Sequence, residues 1–208
     1  MSLATLLPNL RAAFRARLLT AVDIDVTVAV TVAGGVFTRA SGSWIADGFA
    51  IGQELKVSGA AIGTMLVKGI EEAKLVTTSA AGGSGAARFI VGLPSAVAWE
   101  GAKFAPKGSP FAVEKVQMAG STRRSFGPNG LIQHRALMHC NLFYPAQGAT
   151  LAIERMTGAL MQHFRPGTDL IHGGDAARVE QVEASPLMLD NEWLSQAVTV
   201  TALAFTSD

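Results

Sequence analysis

The chain has 208 residues, of which 49% are hydrophobic, 17 are basic, 16 are acidic and one is cysteine. This suits one large domain or two small ones with a real core, and speaks against a disordered chain. A net charge of +1 gives no support to a general polyanion binder, the lone Cys140 excludes an intrachain disulfide or a multi-thiolate metal site, and no apolar run is long enough to span a bilayer as a helix.

Residues 3–22 read as a helix. Leu6, Leu10, Ala13, Phe14, Arg17 and Leu18 share a stripe, Arg11 and Arg15 fall outside it, and Pro8 sits near its start. The basic opening is read as this amphipathic helix rather than a transit peptide, and no signal peptide is recognised. From Asp25 to Phe37 the period changes to two, with Val26, Val28, Val30 and Val32 on one face and Thr27 and Thr31 on the other. Short strand candidates follow near Glu54–Val57, Met65–Ile70, Leu75–Thr78 and Arg88–Val91, punctuated by Gly34-Gly35, Asp47-Gly48 and Ser58-Gly59. This spacing predicts a small all-β barrel or sandwich. The glycine- and alanine-rich run 79–87 reads as a flexible hairpin tip.

Pro94 opens a different unit. Phe111–Met118 reads as a strand, 119–130 as a polar loop, and Ile132–Tyr144 as a half-buried strand with Ile132, Ala136, Met138, Cys140, Leu142 and Tyr144 on one face and Gln133, Arg135, His139 and Asn141 on the other. Ala149–Phe164 is the clearest helix, stopped by Pro166-Gly167. A turn follows over 168–175, then a strand at Arg178–Ala184, a loop over 185–193 and a last strand at Leu194–Phe205. The fold class expected is α+β, an antiparallel sheet flanked by helices, with an inserted small all-β barrel or sandwich domain. Residues 1–25 and 94–208 form the core in this reading, and 26–93 the insertion.

Catalytic chemistry finds little to work with. His134 and His139 point to opposite faces of one strand and cannot share a metal. His163 near a helix C-terminus favours the dipole, and His172 precedes a Gly-Gly turn. Cys140 faces the core as a packing residue. The run 82–87 lacks the Lys-Ser/Thr ending of a phosphate loop, and His172-Gly173-Gly174 has no nucleophile elbow to accompany it. No enzyme activity, cofactor or metal is expected. Arg123 and Arg124 in the polar loop, and Arg135 on the exposed strand face, suit DNA phosphates or an acidic neighbour, with an ordinary solvated loop as the alternative.

Two stretches carry resemblances. In the run 38–59, Thr38, Arg39, Ser41, Gly42, Ser43, Asp47, Gly48, Phe49, Gly52, Val57, Ser58 and Gly59 are similar to a β module recurrent in tailed-phage tail proteins, departing from it after Gly59. In the C-terminal half, Trp99, Pro110, Phe111, Tyr144, Pro145, Gly148, Phe164, Gly167, Leu170, Trp193, Val198 and Val200 resemble the phage tail terminator-like family, although the glycine expected after Arg135 is missing. The resemblance implies a structural virion protein. It would cap the head-proximal end of the tail tube as a homohexameric ring, end tube polymerisation and offer the head–neck docking face. A tail tube or minor tail protein, or a neck adaptor, is the alternative. The partners implied are the chain itself, the tube protein and a head–neck or stopper protein, with DNA passing through the channel without sequence-specific binding and no membrane involved. The implied location is the tail–neck junction of the virion, after synthesis in the bacterial cytoplasm. Candidate interface residues are Arg123, Arg124, Phe126 and Asn129, with Trp44 and Phe49 in the inserted module; core packing is the alternative for these last two.

Overall fold

A computed structural model describes residues 3–78, 82–102, 104, 108–125 and 130–207. In chain order these form α1 (Leu3–Leu18), β1 (Val22–Ala33), β2 (Val36–Arg39), β3 (Glu54–Gly59), β4 (Gly63–Ile70), β5 (Lys74–Thr77), β6 (Gly83–Gly92), β7 (Ala96–Ala98), β8 (Phe111–Arg123), β9 (Leu131–Pro145), α2 (Thr150–His163), β10 (Asp169–His172), β11 (Asp175–Ala184), β12 (Met188–Asp190) and β13 (Trp193–Ser207).

The first six strands close into a barrel in the order β1-β2-β5-β4-β3-β6. Closure follows from β1: it pairs with β6 from Val22 to Val32, while its last residues also pair with β2. Val30 and Val32 point into the barrel, and the alternating Thr27 and Thr31 face out. Inside, Trp44 lies edge-on to Phe49 and Phe89 at 5.1 and 4.9 Å, and Phe37 edge-on to Phe89 at 5.2 Å. Such pairs add about 0.5–1.5 kcal/mol each beyond the area they bury.

The remaining strands form a seven-stranded sheet, β10-β11-β13-β9-β8-β7, with β12 paired to β13. All pairs are antiparallel except β7 with β8. The spine is β9 against β13, in register from Trp193↔Pro145 to Ser207↔Leu131. Even-numbered residues of β9 from His134 to Tyr144 are buried, and both helices pack on that same face, with Phe14 and Phe164 5.0 Å apart. The opposite face is half-exposed.

This corrects the expected fold class. The chain is mostly β, a closed six-stranded barrel joined to a half-barrel, and not an α+β sheet flanked by helices. The discrepancy comes from strands whose sequences carry turn chemistry. Part of the run read as a hairpin tip is β6, of which residues 79–81 lie outside the described residues. The polar loop after Met118 continues as strand to Arg123 around a bulge, the turn over 168–175 contains β10, and the loop over 185–193 contains β12. Small residues suit these places because backbones approach closely: a Cβ on Gly83 would stand 2.5 Å from the Ala60 carbonyl oxygen.

The barrel is seated on α2. Arg155 donates from Nε and Nη2 to both carboxylate oxygens of Asp23, each at 3.0 Å, and the Asp23 side chain is 9% exposed. Gly52, at φ +87°, lets the barrel approach α2: an added Cβ would meet the Ala149 Cβ at 2.6 Å and its Cα at 3.2 Å. Gly52→Ala is therefore expected to lower stability by about 1–3 kcal/mol through backbone strain and overpacking. Chemical denaturation checks this, and a change below a few tenths of a kcal/mol would show that the joint is looser than described.

Candidate assembly surfaces

The conspicuous motif of residues 38–59 builds the plug of the barrel. Arg39 pairs with Asp47, lies over the Trp44 ring at 4.9 Å and donates to the Ser41 carbonyl at 2.6 Å. The Trp44 backbone N–H donates to the Glu72 carbonyl at 2.9 Å, and the Phe49 backbone N–H to the Trp44 carbonyl at 3.1 Å. Positive φ at Gly42 and Gly48 closes the loop tightly enough for Trp44 and Phe49 to enter the core. Trp44 is 0% and Phe49 2% exposed, so neither ring is on the surface of this chain.

Arg123 and Arg124 are exposed where β8 ends. Arg124 donates from Nε to Gln133 Oε1, and its backbone N–H to the Leu131 carbonyl at 2.8 Å. Phe126 and Asn129 lie outside the described residues. The structure brings Arg123 and Arg124 together at one end of the sheet and places Trp44 and Phe49 in a separate core.

The histidines are dispersed. His134 is buried between Ser121 Oγ, 2.7 Å from Nδ1, and Thr206 Oγ1, 2.8 Å from Nε2. His139 Nδ1 is 3.0 Å from Thr199 Oγ1; burial, with a smaller effect of Lys115, holds its pKa below the ordinary value. His163 Nε2 donates to the Arg17 carbonyl at 2.9 Å, and burial outweighs that bond to lower its pKa too. Burial first, and Glu114 second, pushes the Cys140 thiol up to about 12, so it is not a thiolate nucleophile. Among the described residues no group of three or more His, Cys, Asp or Glu could hold a metal ion. A cleft of about 540 Å³ between barrel and sheet is lined by apolar residues such as Ile51 and Trp193 and by polar Gln147 and Asn191, with Lys68 and Glu192 its charged residues.

One charged cluster was not anticipated from the sequence. Arg15 Nη2 donates to the fully buried Glu114 carboxylate at 2.8 Å, and Arg11 to Glu100 at 2.9 Å. Arg15 also lies over Trp99 at 5.0 Å, and the Glu100 backbone N–H reaches Glu114 at 3.3 Å. Arg11 and Arg15 fall off the apolar stripe because they reach past it to β8. Their spacing on a predicted helix was visible, but the acids they meet are set by the tertiary fold.

Two outcomes follow. Arg15→Met leaves the Glu114 charge buried without its partner and should cost about 3 kcal/mol, whereas Arg15→Met/Glu114→Leu should cost less; a double variant as unstable as the single in denaturant titrations would contradict this. His139 and His163 are harder to protonate folded than unfolded, so their contribution is complete above the ordinary value of 6.5 and is lost as pH falls below it. Replacing both by Gln should flatten the decline of stability between roughly pH 7 and pH 5. An unchanged pH profile of the unfolding midpoint would refute that assignment.

With this geometry in place, comparison with known proteins gives a family. No curated protein matches the chain. One solved structure is 18% identical over 54% of this chain and 79% of that one, with a TM-score of 0.43. Residues 84–201, from within β6 to within β13, match the phage tail terminator protein family. The chain belongs to the phage tail terminator protein family, whose members are structural components of the phage tail.

Proposed function

We propose that this protein caps the head-proximal end of a phage tail tube as a ring, ends tube polymerisation and presents the docking face for the head–neck proteins. The family match over residues 84–201 carries this reading. A ring needs a heterologous interface that closes by rotation. The half-barrel supports one by offering, among the described residues, unpaired strand edges: β10 ends the sheet on one side, and on the other β7 covers only Phe111 to Val113 of β8. Capping works if the ring's far face differs from the surface it covers on the tube, so that no further tube subunit finds its pairing edge. DNA passing through the channel calls for weak contact, which suits a chain of net charge +1.

In this reading the barrel is an insertion over residues 26–93 that adds a contact surface to a core made of residues 1–25 and 94–208. Most of it lies outside the family match. In the same reading Arg123 and Arg124, exposed at the end of β8, contact the tube or a neighbouring subunit. The protein is then a resident of the tail–neck junction.

Electron microscopy of lysates from a phage or prophage with this gene disrupted tests the proposal. Overlong, uncapped tails beside separate DNA-filled heads are expected. Absence of tails would assign a tube or initiation role instead, and normal infectious particles would overturn the structural role.

A further inference from the structure

One rung of the β8 edge is filled by side chains. Among the described residues β7 pairs with β8 only as far as Val113. Beyond it Val116 turns its backbone groups away from β9: its N–H donates to Glu100 Oε2 and its carbonyl accepts from Arg11 Nη2, each at 3.3 Å. Arg11 Nη2 also donates to Glu100 Oε2 at 2.9 Å. An ion pair therefore supplies the acceptor and the donor that a neighbouring strand would bring. It is anchored on both sides. The Glu100 backbone N–H reaches the buried Glu114 carboxylate at 3.3 Å, and Arg15, one turn along α1 from Arg11, donates to the same Glu114 oxygen at 2.8 Å. The Arg11 and Glu100 side chains are 30% and 36% exposed, so the pair stands on the surface, and charged side chains on a strand edge oppose strand addition. Strand alternation makes Met118 the next residue whose backbone groups face this edge.

We infer that the Arg11–Glu100 pair is a stop on the β8 edge: it denies Val116 to an incoming strand, so that a second copy adding a strand here pairs from Met118 onward and no nearer to β7. The occupant is a second copy because a head-to-tail ring joins the two unlike edges of one sheet, and β10 is the other edge. The inference deepens the ring reading proposed above and rests on it. Its consequence is register. A strand that slides by two residues along β8 keeps the same side chains on each face, so burial alone does not forbid the slip. The stop removes the registers that run past Met118. Neighbouring copies then meet at one rotation, which closure of a ring demands.

Removing the stop tests it, with assembled species counted by native mass spectrometry and by electron microscopy. The wild-type chain should give one closed size. Glu100→Ala should spread this into open chains and rings of several sizes, with the single closed size falling about tenfold. Arg11→Ala, which removes the other half of the pair, should spread the sizes in the same way. Glu100→Gln keeps an acceptor for the Val116 N–H and should hold the single size, which separates a lost stop from a lost charge. As an independent readout, hydrogen exchange of the Val116 amide, followed by mass spectrometry on the dissociated chain at low concentration, should quicken about tenfold in Glu100→Ala and stay near the wild-type rate in Glu100→Gln. A Glu100→Ala chain that still forms the single wild-type size would overturn the stop and leave the ring reading standing, and so would Val116 exchange that Glu100→Ala does not change. A wild-type chain that forms no ring, in solution or on tails, would overturn the ring reading and the second copy as occupant, whatever the exchange shows.

Discussion

The structure depends on one long antiparallel pairing. β9 and β13 hold register along their full length, from Trp193↔Pro145 to Ser207↔Leu131. A slip of a single residue would turn Ala136, Met138, Cys140, Leu142 and Tyr144 out of the core and bring Arg135, His139 and Asn141 in. That penalty fixes which face receives α1 and α2. It also fixes where β8 and β11 attach on either side, and which side chains stand at the two ends of the sheet.

Polar contacts then tie the outlying pieces to this spine. On one side Arg15 and Arg11 cross from α1 to Glu114 and Glu100, anchoring the helix over β8. On the other, Arg155 of α2 grips Asp23 at the start of the barrel. Gly52 and Gly48 remove the side-chain bulk that would hold the surfaces apart. A part-buried, bidentate carboxylate–guanidinium pair is directional as well as attractive, so it sets orientation where a purely apolar contact would permit sliding. The barrel is therefore held against the half-barrel by geometry as much as by area.

The motif of residues 38–59 shows how a sequence signature can be structural while looking like a surface feature. Arg39, Asp47, Gly42 and Gly48 exist to fold a loop back on itself so that Trp44 and Phe49 fill the barrel. Such a plug leaves the outside of the barrel free to vary. Exposed apolar side chains lie elsewhere, near strand ends, at Leu131, Ile171, Met188, Leu189 and Phe205. This division suits a protein whose chemistry is association, since the core stays closed while the rims stay available.

The sequence by itself determined the local elements whose signal is carried by neighbouring residues. The stripe of α1, the helix ending at Pro166-Gly167, the alternation of β1 and β9 and the turn glycines were all legible, because side-chain periodicity and allowed φ are local properties. The buried fate of Cys140 was legible for the same reason. Only the tertiary structure decided that Gly83–Ala87, Ala119–Arg123, Asp169–His172 and Met188–Asp190 are strands. Glycine, alanine, serine and turn residues have little strand preference of their own, and pairing partners distant in sequence impose it. The partners of Arg11, Arg15 and Asp23 were likewise hidden, since each ion pair joins residues far apart in the chain.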